Sequence, residues 1–168
     1  MKNIDEPVLG ARNTHKFSDN RNKEAVKEQI KNLVVNQSFA ILCTQGKGQP
    51  YGSLIAYAFT DDQKHYFFST PTATRKYHLL EQCDRVALVI DSRSQHQKNL
   101  MQVEGVTITG KATRLKKEEE IARAEELLSN RHSYFSEFIK SESTALFRID
   151  VVRCFYVTRF QEVSQWVP

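Results

Sequence analysis

The sequence predicts a mainly β, α+β fold: a small, six-stranded, mostly antiparallel β-barrel with peripheral helices. Three observations predict it. Six β-prone runs recur along the 168 residues, and three of them follow one another directly, separated only by turn residues. Helical patterns fall at the start, in the middle and between the fifth and sixth runs. The regular strand and helix alternation of a parallel sheet does not appear in the pattern.

Residues 1–22, with Pro7, Gly10, Asn13 and a cluster of Ser18, Asp19 and Asn20, read as an irregular N-terminal arm ahead of a single domain, 23–168. A mobile arm and a strap across a partner subunit both fit. From Lys23 to Asn36, Val26, Ile30, Leu33 and Val34 recur at helical spacing opposite Lys27, Glu28 and Lys31, which predicts an amphipathic helix. Residues 38–45 and 51–60 are apolar β-prone runs, and the intervening glycines and Pro50 predict a hairpin. Asp61, Asp62 and Gln63 make the next turn, and a strand over 64–70 completes an antiparallel meander.

The stretch 65–90 is the most informative. Its aromatic first part ends at Pro71, and a helix is predicted over 74–83. The turn between them carries Ser69, Thr70, Thr72 and Thr74, followed at once by Arg75 and Lys76. Two readings fit. Thr74 caps the helix and the cations are solvated; or hydroxyls, free N–H groups and cations converge on an anion such as phosphate. Two cations in a first helical turn oppose the helix dipole by a few tenths of a kcal/mol each, which favours a bound anion.

Arg85–Asp91 is a continuous apolar run, predicting a strand buried on both faces, and 92–99 is a polar loop. Residues 102–115 alternate as a long strand, with Gly105 and Gly110 as candidate bulges or sites of close backbone approach. A helix follows over 116–139 with a break near Ser129 and Asn130, and Glu118, Glu119 and Glu120 lie in its first turn as a solvated face. Thr144–Thr158 is the sixth strand.

Twenty-four basic residues against 20 acidic ones leave a formal charge of +4, and the aromatics are not interleaved with a basic run, so nucleic-acid binding is not indicated. No stretch approaches the apolar length of a membrane span. Cys43, Cys83 and Cys154 are odd in number and widely spaced, which reads as reduced thiols in a cytoplasmic protein. The five histidines show no metal or triad spacing, so no metal site is expected.

Four segments in order, GQPYGSLIAYAF, FFSTPTATRKYHLL, DRVALVI and VTITGKATRL, together resemble the pyridoxamine 5'-phosphate oxidase-like, FMN-binding split β-barrel family over about residues 35–115. The resemblance implies a split barrel that binds FMN as a homodimer, with flavin at the subunit interface. It implies that Ser53, Leu54, Ile55, Ala56, Tyr57 and Ala58 line the isoalloxazine, largely through backbone groups. Ser69 and Thr70 would contact the flavin, and Arg75 and Lys76, headed by Thr74, would grip its phosphate. Gln102 is the candidate for a family Gln that reaches the ring from the other subunit, although counting back from Gly110 places Gly105 there. Trp166 either covers the flavin or docks the tail on its own barrel.

Departures from the family narrow the function. Ser53 stands where the oxidase has an arginine, and Arg131, Tyr134 and Ser136 do not reproduce its substrate-phosphate set in order or spacing. The chain therefore resembles a smaller relative, not an oxidase of pyridoxamine phosphate. An FMN-dependent oxidoreductase acting on a small acceptor is the leading expectation. A non-catalytic flavin carrier or sensor, a deazaflavin binder using Arg12, Lys16 and Arg21, and a haem-binding relative are the alternatives.

Overall fold

The computed structural model describes residues 23–159 and 162–168, so the arm assigned to 1–22 lies outside the described residues. Helix α1 (Lys23–Asn36) leads into β1 (Phe39–Gly46) and β2 (Gln49–Ala56). The hairpin between them turns through Lys47 and Gly48, both at positive φ (51° and 82°), the twist a tight hairpin demands. Then come β3 (Ala58–Phe59), β4 (His65–Pro71), α2 (Arg75–Gln82), β5 (Arg85–Asp91) and β6 (Gly105–Arg114). Helices α3 (Glu118–Arg131) and α4 (Ser136–Ile139) precede β7 (Thr144–Thr158) and β8 (Glu162–Trp166).

All neighbours in the eight-stranded sheet pair antiparallel, in the order β2-β1-β5-β6-β7-β4-β3, with β8 on β7. This is the expected α+β split barrel, with eight strands where six runs were counted. The run 51–60 divides at Tyr57: β2 pairs with β1, whereas β3 leaves that neighbour and pairs with β4. Its ends therefore face different strands, and the barrel is split there. The tail adds β8, which period-two alternation alone does not announce.

The fifteen-residue β7 is the spine, pairing with β4, β6 and β8. Its register against β6 shifts between Thr109 and Gly110. A Cβ on Gly110 would lie 2.6 Å from the Asp150 carbonyl oxygen, so the bulge requires glycine. At Gly105 the nearest atom is an ordinary 3.8 Å away, and of the two candidate glycines only Gly110 is a point of close approach.

Two apolar layers result. The barrel interior holds Leu42, Ile55, Tyr57, Tyr66, Phe68, Leu88, Ile108, Phe147 and Ile149, with the Phe68 and Phe147 rings stacked at 5.3 Å. Outside, Ala58, Phe67 and Leu146 pack under Ala124 and Leu128 of α3 and Ile139 of α4. Among the described residues no helix covers the rest of the outer face. Leu54, Ile41, Val89, Thr107 and Phe155 form one cross-strand row there, half-buried or exposed. Strand β5 consequently alternates: Val86, Leu88 and Ile90 are buried while Ala87 and Val89 are only half-buried, which corrects the expectation of two buried faces. The helix expected over 116–139 with a break near Ser129 and Asn130 breaks one residue later, at Arg131, because His132 leaves helical geometry at φ −135°, and a 3₁₀ turn leads into α4.

Candidate functional site

Helix α2 lies across the split. It packs on β1 and β4, and its Leu79 and Gln82 side chains fill the space a side chain at Gly46 would need. Its N-terminus therefore sits where β4 ends, beside the inward face of β2. Thr74 is the N-cap, with its hydroxyl oxygen accepting from the Tyr77 N–H at 3.4 Å and its hydroxyl proton donated to the Pro71 carbonyl at 2.8 Å. The Thr70 hydroxyl, 2.9 Å away, must then donate to Thr74. Both hydroxyl protons are spent inside the cap, so the convergence of hydroxyls on an anion is corrected for Thr70 and Thr74.

What remains for an anion is stronger. The N–H groups of Arg75 and Lys76 head the helix, where no intrahelical acceptor exists. Arg75 is exposed, with its guanidinium carbon 5.5 Å over the Tyr51 ring. Lys76 is half-buried, and desolvation pushes its ammonium below the ordinary lysine range. Among the described residues no carboxylate pairs with either cation. Across the groove Ser53, on the same face of β2 as Tyr51, has a buried hydroxyl with no partner among the described residues. Cations, free N–H groups and an orphaned hydroxyl fit a phosphate-bearing group.

The other expected residues scatter. Leu54 is 63% exposed on the outer face, and Ala56 is half-buried. The side chains of Ile55, Tyr57 and Ala58 are buried in the two apolar layers, leaving only backbone to offer a ligand. Ser69 is half-buried on β4. Gln102 is exposed in a 3₁₀ turn, Leu100–Gln102, three residues ahead of β6, which corrects its placement on that strand. Trp166 is 7% exposed in the barrel core with Lys27 of α1 over its ring, so it docks the tail on its own barrel.

His65, His132, Cys43 and Cys154 are held in structural settings. His65 Nδ1 meets Asp150 at 2.8 Å, a carboxylate that also accepts from Arg148 at 2.8 Å. His132 is buried and its Nε2–H donates to the Tyr57 carbonyl at 2.9 Å. Burial raises the Cys43 thiol and pushes Cys154 up to about 12, so neither is a thiolate at neutral pH. No group of three metal-ligating side chains occurs among the described residues. Arg131 is committed to carbonyls of α1, Tyr134 is 73% exposed, and Ser136 donates to the Ser133 carbonyl, so the three assemble no phosphate set. Tyr51 was missed by sequence reasoning. Its only signal is period two: it lies two residues before Ser53 on one strand face.

The fold and the site together are those of a split β-barrel with a cationic helix N-terminus across its gap. A profile of the pyridoxamine 5'-phosphate oxidase family matches residues 26–158, and the chain belongs to that family. No curated protein sequence matches it. Among solved structures, a haem-binding protein from Mycobacterium smegmatis superposes at TM-score 0.74 with 16% identity, over 83% of this chain but 57% of its own length. HutZ, a haem storage protein from Vibrio cholerae, gives 0.65 with 18% identity over 74% and 89% of the two chains. A Clostridium acetobutylicum protein related to general stress protein 26 of B. subtilis gives 0.66 with 15% identity over 86% and 95%. At these identities the likeness is one of fold.

Proposed function

We propose that the protein is an FMN-binding flavoprotein, an oxidoreductase passing hydride or electrons between a reduced donor and a small acceptor. The observation that carries this is the pair Arg75 and Lys76, two cations at the head of α2 that meet no carboxylate among the described residues. In this reading they hold the flavin phosphate with the N–H groups of the first turn. The Thr70 and Thr74 hydroxyls hold the turn that presents them, and Ser53 supplies a donor where an arginine would otherwise stand. Bound flavin brings the redox chemistry, and the chain's residues bind and orient it.

The uncovered row of Leu54, Ile41, Val89, Thr107 and Phe155 supports a homodimer in which a second copy covers this face and closes the flavin site. Free thiols at Cys43, Cys83 and Cys154 agree with a cytoplasmic setting, and no described helix is long and apolar enough to cross a membrane.

A haem reading follows from two structural relatives, a haem-binding protein and a haem storage protein. It needs an accessible histidine, and His78, exposed on α2 with Glu81 at 3.5 Å, is the candidate. An absorbance spectrum of purified protein, before and after adding FMN, a deazaflavin or haem, with gel filtration alongside, separates these. Oxidised-flavin bands on a dimer-sized species support FMN, and turnover with reduced nicotinamide then divides an enzyme from a carrier or sensor. A Soret band that His78→Ala abolishes replaces the flavin reading.

A further inference from the structure

An exposed arginine in the first turn of a helix samples many rotamers and loses that freedom when it grips an anion. Arg75 is exposed but not unsupported, because its guanidinium lies 5.5 Å over the face of Tyr51. The ring comes from a different element, whose backbone is held at that position. Tyr51 is half-buried on β2, pairs in register with Thr44, and its carbonyl accepts from the Thr44 hydroxyl at 3.2 Å. The ring spans from the β1–β2 hairpin to the head of α2, and Ser53 with its orphaned hydroxyl follows on the same strand face. A cation held over an aromatic face at an exposed site gains about two- to five-fold in effective affinity.

We propose that Tyr51 is a positioning residue through which this site selects a phosphorylated flavin over an unphosphorylated one; the inference rests on the FMN reading above. Tyr51 acts through Arg75, so its effect reaches only ligands that carry a phosphate. A merely structural tyrosine would weaken every flavin alike.

The experiment titrates FMN and riboflavin, by flavin fluorescence, into the full chain as wild type, Tyr51→Leu, Tyr51→Phe, and Arg75→Ala with and without Tyr51→Leu. Tyr51→Leu weakens FMN about two- to five-fold and leaves riboflavin unchanged. Tyr51→Phe keeps the ring face and binds both as wild type does, and Tyr51→Leu adds nothing to Arg75→Ala. Equal losses for both flavins, no loss for FMN, or a full further loss beside Arg75→Ala overturns the proposal. If Tyr51→Leu does not fold, Arg75→Lys, which keeps the charge but lacks the planar face, must show the same FMN-specific loss. A wild type that binds neither flavin overturns the FMN reading instead, and inorganic phosphate then tests Tyr51. The Arg75 Nε–H resonance shifts with phosphate in the wild type and less in Tyr51→Leu; equal or absent shifts overturn the role.

Discussion

The guanidinium of Arg131 lies 5.1 Å over the ring of Tyr57, and both side chains converge on carbonyls at and just past the end of α1. Arg131 Nη2 donates to the Val34 and Gln37 oxygens at 2.6 and 2.7 Å, and the Tyr57 hydroxyl lies 2.8 Å from the same two. Helix α1 has no basic residue in its own last turn, so the cation that its dipole favours comes from the end of α3. Tyr57 is also where the chain passes from β2 to β3, and the pair thus ties two helix ends to the split in the barrel.

Arg131→Ala leaves those carbonyls short of donors and is expected to cost about 2–4 kcal/mol, since hydrogen bonds to a charged group are worth about 1.5–3 kcal/mol each. Urea unfolding measures it. Arg131→Lys should recover less than half, because a point charge cannot span several carbonyls as a guanidinium does. A loss below about 0.5 kcal/mol, the range of ordinary surface substitutions, would show that the cap is not a stabilising contact.

Replacing both Arg75 and Lys76 by Ala removes about two charge-assisted contacts, and FMN should weaken by about a hundredfold or more. Calorimetric titration reads it. The fold should persist, because Arg75 is exposed and neither residue pairs with a carboxylate among the described residues. Unchanged affinity in a folded double variant removes the phosphate site from the head of α2.

Gly110→Ala forces a methyl group to within 2.6 Å of the Asp150 carbonyl and 2.7 Å of the Ile149 side chain. Overpacking of this kind costs about 1–3 kcal/mol. Thermal unfolding should show the loss, whereas Gly105→Ala, with its nearest neighbour at 3.8 Å, should lose far less. Equal losses at the two positions would place the bulge elsewhere.

Alkaline pH should destabilise the protein through Cys154. Its thiol ionises near 9.0 when unfolded but is pushed up to about 12 by burial in the fold. The unfolded chain therefore releases a proton first, so stability is full below pH 9 and falls as pH rises towards 12. Cys43, also raised by burial, adds with the same sign, and the raised tyrosines Tyr57, Tyr66 and Tyr156 join above pH 10. Between pH 9 and 10 the thiols act before the tyrosines. Unfolding curves there should flatten in Cys154→Val, and an unaltered slope would count against its burial as the cause.

The head of α2 was legible in the sequence because its cause is local. Pro71 ends a strand, Thr74 caps, and Arg75 and Lys76 follow, all within one turn of chain. The same closeness misled about the hydroxyls, since how Thr70 and Thr74 divide their protons depends on the Pro71 carbonyl orientation. Gln102 went astray for a related reason: alternation extends through Val103, but the backbone turns at Leu100–Gln102 before the strand begins.

Periodicity and turn chemistry by themselves determined the α+β class, the β1–β2 hairpin, α1 and α2, and the cations at the head of α2, because each depends on residues a few positions apart. Only the tertiary structure decided where the barrel splits, that Trp166 belongs to the core, that Arg131 caps α1, and that Tyr51 lies under Arg75. Those contacts join residues far apart in the chain, and a side chain's partner there is set by strand register and helix packing, quantities that no local pattern encodes.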